Sequence, residues 1–116
     1  MREILVVKRN ALFPDKAFQG FSSIKEQDFM SLILGAHEYI ERDNAEKNPE
    51  WKQPIPYVWI INSKTNKVFV YKRANSESYK EARLRDKWSC GIGGHIDRIT
   101  DEKEENPIIA AMMREL

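Results

Sequence analysis

The sequence contains a single cysteine, Cys90, and no long apolar run. One cysteine cannot form a disulfide within the chain, which excludes the disulfide frameworks of small secreted proteins. The apolar run near the N-terminus covers only residues 4–7. That length is too short for a signal peptide and far too short to cross a bilayer. We therefore expect a soluble protein of the reducing cytoplasm that has no membrane partner.

The sequence also has little net charge. Its 19 Lys and Arg residues are balanced by 18 Asp and Glu residues, which gives a formal net charge of +1. A chain with this balance has no overall field that would attract a nucleic acid polymer or an anionic membrane. Any site for a phosphorylated partner must therefore be local.

What remains is the composition of an ordinary globular domain. The chain has 116 residues, of which 41% are hydrophobic and 32% are charged. A chain of this length buries roughly two thirds of the surface that its unfolded form exposes, so it can build a core without disulfides. We expect one domain over residues 1–116.

The first half of the sequence predicts a strand and a long helix. Residues 4–8 are rich in β-branched side chains and predict the strand. Ser23 and Glu26 have the spacing of a capping box, and the apolar residues behind them recur at helical intervals, so we predict a helix over residues 23–42. Those apolar residues are Phe29, Leu32, Ile33, Ala36 and Ile40. The polar residues 43–53 predict a linker.

The middle of the sequence predicts a hairpin. Residues 57–61 and 67–72 are β-branched and aromatic, and turn-forming residues lie between them at 62–66. Trp59, within the first strand, is expected in the core. Residues 75–86 predict a polar surface loop, and residues 87–96 a further extended segment.

The last part of the sequence predicts a charged loop followed by a helix. Residues 98–105 carry most of an acidic cluster, for which a solvated loop is the favoured interpretation. Asn106 and Pro107 then predict a helix start, because Asn caps a helix and Pro suits its first turn. A nucleophilic cysteine requires a histidine or an acid arranged beside it, and the sequence shows no such arrangement for Cys90. We therefore expect Cys90 to be a small buried residue.

The segment from residue 88 to residue 116 resembles the Nudix family. That family's box reads Gly, five residues, Glu, seven residues, Arg-Glu, an aliphatic residue, one residue, Glu-Glu, one residue and Gly. The parts that match are Gly93-Gly94-His95-Ile96 after a strand and Ala110-Ala111-Met112-Met113-Arg114-Glu115-Leu116 on a helix. The box begins near residue 93.

The resemblance implies an α+β fold, the Nudix αβα sandwich with a mixed sheet. It implies Mg²⁺-dependent hydrolysis of a diphosphate linkage in a small phosphorylated, nucleotide-like substrate. Carried over by position, the catalytic residues are Glu115, which also binds the metal, and Arg114, which buttresses the loop, and Gly94 offers its carbonyl to the metal. Carboxylates and carbonyls are the ligands that Mg²⁺ prefers. Arg73, Gly93 and His95 are expected to contact the substrate, although His95 is equally compatible with a structural loop histidine.

Two features depart from the family's pattern. Arg114 follows Gly94 by 20 positions, which is six more than in the box, and Asn106 occupies the position of the earlier glutamate. Glu104 or Glu105 is then a candidate partner for the arginine. The chain also ends at Leu116, before the Glu-Glu pair of the box. We therefore expect a truncated front portion that binds Mg²⁺ weakly, is inactive alone, and forms a homodimer through its uncovered apolar face.

Two alternatives stay open. The long box loop and Asn106 favour a non-catalytic Nudix-like domain that binds a nucleotide or a protein partner. The other alternative is an unrelated α+β module in which residues 91–94 form only a tight turn.

Overall fold

The structure, a computed structural model, describes residues 2–74 and 84–116. Its first strand lies at the centre of the fold. This strand, β1 (Glu3–Lys8), pairs antiparallel with β2 (Glu38–Glu41) on one edge and with β3 (Trp51–Lys52) on the other. Four consecutive side chains, residues 4–7, are buried. Since successive side chains of a strand point to opposite faces, β1 must be covered on both faces. The predicted strand is confirmed.

The two faces of β1 carry separate apolar clusters. Leu5 and Val7 pack with Ile96 and Ala111, and partly buried side chains of the helices α1 (Arg9–Leu12) and α2 (Phe29–Ala36) join them. Ile4 and Val6 pack on the other face against Ala45 of α3 (Arg42–Lys47). Helices therefore cover both faces of the strand, which is the layering of an αβα sandwich.

The predicted helix over residues 23–42 is too long at both ends. Asp28 is the residue that caps α2, because its carboxylate accepts a hydrogen bond from the Ser31 N–H at 3.1 Å. The Ser23 carbonyl instead accepts the Glu26 N–H in a turn before the helix. At the other end, residues 38–41 form β2, because pairing with the central strand outweighs the helical pattern of their side chains. The predicted linker at 43–53 is also wrong in part, since α3 and β3 lie there.

The predicted hairpin is confirmed at its tip and differs below it. Strands β5 (Ile61–Asn62) and β6 (Lys67–Val68) pair with each other, and the Asn62 side chain accepts the backbone N–H groups of Lys64 and Thr65 in the turn. The outer strands pair elsewhere. Strand β4 (Tyr57–Trp59) pairs with β9 (Gly91–Gly93), and β7 (Tyr71–Lys72) pairs with β8 (Trp88–Ser89). Residues 75–83 of the predicted surface loop lie outside the described residues.

The hairpin region exposes many apolar side chains. Trp59, expected in the core, is 56% exposed, because the face of β4 on which it lies is open to solvent. The other exposed apolar residues of this region are Tyr57, Ile60, Ile61, Val68, Phe69, Val70 and Trp88. Consecutive residues such as Ile60 and Ile61 are both exposed, so apolar surface is open on both sides of this region. Exposed apolar surface is what the expected homodimer requires. The dimer itself stays a prediction.

The C-terminal helix is confirmed and the loop before it is not. Helix α5 (Pro107–Glu115) begins at Asn106, whose side chain accepts the N–H groups of Ile108 and Ile109. The expected solvated loop instead contains a short helix, α4 (Arg98–Asp101), and the Asp101 side chain is buried.

The class is α+β, as expected. The strand pairs among residues 2–74 and 84–116 are antiparallel, so the parallel pairing of a mixed sheet does not occur within those ranges. In the same ranges, no helix has both the length and the apolar character needed to cross a bilayer.

Candidate functional site

The end of α5 lies against the glycine turn. A Cβ atom at Gly94 would be 2.5 Å from Oε1 of Glu115 and 2.9 Å from its carboxyl carbon. A Cβ atom at Gly93 would be 2.1 Å from the carbonyl oxygen of Pro56, because β9 pairs closely with β4 at this point. A backbone contact therefore requires glycine at 93, whereas at 94 a side chain would have to displace the Glu115 carboxylate. The sequence-based expectation that Glu115 faces the Gly93–Gly94 turn matches this geometry.

Arg114 connects helix α5 to the turn and to α4. Its Nη2 donates to the His95 carbonyl oxygen at 3.0 Å and to Oδ2 of Asp101 at 2.8 Å, and its Nη1 donates to Oε1 of Glu115 at 2.9 Å. The hydrogen bond with Asp101 is the main cause of the raised pKa of Arg114. The same Asp101 oxygen accepts the Asp97 N–H at 2.8 Å. These contacts fix the loop between β9 and α5 on both sides of the guanidinium.

Glu115 and the glycine turn line a cleft of about 1150 Å³. The charged side chains that line it are Arg2, Arg42, Glu46, Arg73 and Glu115, and His95 lies among them. Arg2 precedes β1 and Arg42 begins α3, and the two come together because Glu3 pairs with Glu41 in the register of β1 and β2. Arg2 pairs with Asp97, and Arg42 pairs with Glu46 at 2.8 Å, so these carboxylates offset part of the positive charge. The three guanidinium groups still supply the kind of donor that binds a phosphorylated ligand.

His95 lines this cleft, and its surroundings favour the neutral form of the imidazole ring. Its Nε2 is 2.8 Å from Oε1 of Gln53, and as an N–H it donates to that oxygen. Burial lowers the pKa of His95 below its ordinary value, and the positive charges of Arg42 and Arg2 lower it further. The ring is therefore held by Gln53 as a neutral group.

Comparison with known proteins identifies the fold. Protein YmaB of Bacillus subtilis (strain 168) is 38% identical over an alignment of 100 residues, and this alignment covers 83% of this chain and 47% of YmaB. The crystal structure of Tm1382, "a putative Nudix hydrolase", superimposes with a TM-score of 0.71 at 28% identity and covers 97% of this chain. The chain has a Nudix-like fold. It spans about half the length of each of these relatives, 47% of YmaB and 54% of Tm1382. No protein-family model matches it.

Within the Nudix-like fold, the partner of the box arginine differs from the one expected. Glu104 and Glu105 are exposed, and the carboxylate that pairs with Arg114 belongs to Asp101, which is 1% exposed. The backbone N–H of Glu104 bonds to the Asp101 carbonyl, so this turn directs the glutamate side chains to solvent. Asn106, in the position of the box glutamate, is used as the helix cap. The spacing of residues in the sequence did not indicate Asp101 as the partner of Arg114. The pair depends on the short helix α4, which the charged sequence did not predict.

The expected metal ligands of the Nudix-like fold are only partly assembled. Glu115 lies against the Gly94 backbone, which is the arrangement that the expectation requires, and their roles as ligands stay predictions. Among the described residues, no group of three His, Cys, Asp or Glu side chains could hold a metal ion. The oxygen donors suit Mg²⁺ in kind but leave most of an octahedral shell to water.

Arg73 lies at the edge of the same cleft. Its Nε donates to Oγ of Ser89 at 3.0 Å, and its guanidinium lies 5.1 Å from the centre of the Tyr71 ring. These contacts hold the side chain along β7 and β8, where a ligand in the cleft can meet it. Arg73 was expected at the site from the sequence. Arg2, Arg42 and Gln53, which lie in the N-terminal half of the chain, were not expected there.

Cys90 is partly buried between β8 and β9, less than expected, and is a free thiol. The nucleophile interpretation gains no support.

Proposed function

We propose that this Nudix-like chain takes part in the Mg²⁺-dependent hydrolysis of a diphosphate linkage in a nucleoside diphosphate derivative. The observation that carries the proposal is the contact of Glu115 with the Gly94 turn at the wall of an arginine-lined cleft. The hydrolase resemblance is supported by Tm1382. The substrate and the metal are inferred from the chemistry of the cleft.

The arginines of the cleft have a direct role in this proposal. A diphosphate carries charge on several oxygens, and guanidinium groups bind such oxygens with paired N–H donors. Arg2, Arg42 and Arg73 approach the cleft from three elements. A bound diphosphate would compete with Asp97 and Glu46 for Arg2 and Arg42, and the three side chains would neutralise it along its length. His95, neutral and held by Gln53, adds a further polar contact without adding charge.

Glu115 would hold the metal together with the Gly94 backbone and would orient a water molecule for attack on phosphorus. A bound Mg²⁺ would polarise the phosphoryl oxygens and neutralise the charge that develops on them. Arg114 keeps the Glu115 carboxylate at the turn through a hydrogen bond of 2.9 Å and anchors the turn through His95. Arg114 is thus a positioning residue in this proposal.

With one carboxylate at the turn, the 116-residue chain is expected to bind Mg²⁺ weakly and to turn over slowly. A water-rich octahedral shell contributes little protein binding energy. The sequence led us to expect an inactive chain; because Glu115 lies at the Gly94 turn, we infer instead a low but measurable activity for this chain when it is assayed alone.

The experiment is a chromatographic assay for the nucleoside monophosphate released from nucleoside diphosphate sugars and dinucleotides, with and without Mg²⁺. Glu115→Gln removes the charge at the turn, and Glu105→Gln makes the same change at an exposed glutamate outside the cleft. We expect Mg²⁺-dependent release that falls at least tenfold in Glu115→Gln and stays unchanged in Glu105→Gln. Equal activity of the two variants, or release that is independent of Mg²⁺, would contradict the proposal.

A second candidate is a non-catalytic domain that binds a nucleotide. Asn106 favours it, because the residue in the position of the box glutamate is an amide that serves as the helix cap. Titration of the chain with ADP, in the absence of Mg²⁺, separates the two functions. Tight binding that Glu115→Gln leaves unchanged, with no release of nucleoside monophosphate in the hydrolysis assay, would favour the binding domain.

A further inference from the structure

An apolar groove lies beside the arginine-lined cleft. It has a volume of about 410 Å³ and is bounded by α1, by the start of α2 and by residues 52–55. Phe13, Phe18, Phe29 and Ile33 supply much of its lining. A volume of this size is within the range of small-molecule sites and accommodates one or two aromatic rings.

Three phenylalanine rings form one wall of the groove. The ring centres of Phe13 and Phe18 are 5.6 Å apart, those of Phe13 and Phe29 are 6.0 Å apart, and those of Phe18 and Phe29 are 5.8 Å apart. Phe18 remains 46% exposed. An exposed aromatic ring beside two partly buried ones leaves apolar surface that a ligand ring can cover.

The groove and the cleft share a wall. Gln53 and Ile55 line both spaces, so the segment at 53–55 separates them by the width of one chain. A ligand whose phosphates lie among the arginines can therefore extend across this segment into the groove. This continuity is what identifies the occupant as part of the same molecule.

The polar groups of the groove argue against a nucleobase. Among the described lining residues, the polar side chains are Lys52 and Gln53, and Gln53 is already bonded to His95. A nucleobase brings several donors and acceptors, and burying them without partners costs affinity. An apolar ring carries no such cost.

We propose that the groove accepts an apolar aromatic group attached to the diphosphate that the cleft binds. This inference rests on the proposed function, since the anionic part of the ligand is placed in the arginine-lined cleft. It assigns the selectivity of the site for the linked group to Phe13, Phe18 and Phe29.

Calorimetric titrations of the 116-residue chain with three probes test this proposal. The probes are inorganic pyrophosphate, methyl diphosphate and benzyl diphosphate, each with Mg²⁺. Burial of one aromatic ring corresponds to roughly 10- to 100-fold in affinity, so benzyl diphosphate should bind more tightly than methyl diphosphate by about that factor. Phe18→Ala should remove most of this preference. Phe21→Ala is the matched control, because Phe21 belongs to the same loop, is 92% exposed and does not line the groove.

The outcomes separate the two proposals. Unchanged pyrophosphate binding in Phe18→Ala shows that the variant is folded, and loss of the benzyl preference in that variant alone supports the groove. Equal affinity of wild type for the benzyl and methyl probes overturns the groove and leaves the cleft. Failure of all three diphosphates to bind overturns the proposed function and this inference with it. An ADP affinity that depends on Phe18 as strongly as the benzyl affinity would assign the groove to the base and refute the proposal.

Discussion

Replacement of Arg114 by Met tests the ion pair on which the site depends. Arg114→Met keeps an unbranched apolar stem of similar length and removes the guanidinium. The change leaves the Asp101 carboxylate, which is 1% exposed, with the Asp97 N–H as its hydrogen-bond donor among the described contacts. It also removes the hydrogen bond that the Arg114 side chain donates to the His95 carbonyl oxygen.

The expected loss of unfolding free energy is about 3 kcal/mol. Removing one partner of a buried ion pair costs roughly 3 to 5 kcal/mol, because the remaining charge stays desolvated. The lower end applies here, since the Arg114 side chain is 33% exposed and water can partly replace it. A loss of that size is a large fraction of the roughly 5 to 15 kcal/mol that stabilises a domain.

Urea unfolding followed by circular dichroism measures the effect, and we expect the midpoint to fall by about 1 to 3 M. The matched control is Arg98→Met. Arg98 also bonds two carboxylates, those of Glu3 and Glu102, but both are well exposed, so its midpoint should move far less. Adding Asp101→Asn to Arg114→Met removes the stranded charge and should restore part of the loss. If Arg114→Met is no more destabilising than Arg98→Met, our account of the buried pair is refuted.

Three further predictions follow from other residues. Tyr39→Phe should leave the melting temperature unchanged or raise it, because the buried Tyr39 hydroxyl has no hydrogen-bond partner among the described residues. A clear fall in the melting temperature would contradict this prediction. Gly93→Ala should lower the free energy of unfolding, measured in urea, by about 1 to 3 kcal/mol, because the added methyl group would lie 2.1 Å from a backbone oxygen. Gly94→Ala should cost less, because its methyl group meets a carboxylate that can rotate away. A larger loss in Gly94→Ala than in Gly93→Ala would contradict the turn geometry. Burial lowers the pKa of His95, so folding favours its neutral ring. This contribution to stability is complete above pH 6.5 and is lost as pH falls through the lowered pKa, so His95→Gln should show a shallower loss of stability between about pH 7 and about pH 5 than wild type in urea unfolding. Parallel curves would show that His95 does not contribute.

Elements with local signals were predictable from the sequence. The run of β-branched residues gave β1, the Asn62 turn gave the hairpin tip, and Asn106 with Pro107 gave the start of α5. Each of these signals operates within a few residues, through backbone preference or through a side chain that bonds the adjacent backbone. The proximity of Gly94 and Glu115 was also expected, from the resemblance of the segment that contains both.

Elements defined by distant partners were not predictable. Residues 38–41 continue the helical spacing of α2, yet they form β2 because β1 offers an edge for pairing. Asp101 has the charge of a surface residue, yet it is buried because Arg114 lies beside it. In both cases local propensity is a weak preference that tertiary contacts override.

The cleft shows most clearly why register decides the site. The backbone N–H of Arg42 bonds to the Arg2 carbonyl at 2.9 Å, one position beyond the pairing of Glu3 with Glu41. A shift of two residues along β1 would keep every side chain on its face but would move the two arginines apart by about 7 Å. The positive charge of the cleft therefore depends on β2, whose residues the sequence pattern predicts to be helical. Because that strand was missed, Arg2 and Arg42 had no reason to be placed together, and the anion site could be expected only from the glycine turn and from Arg73.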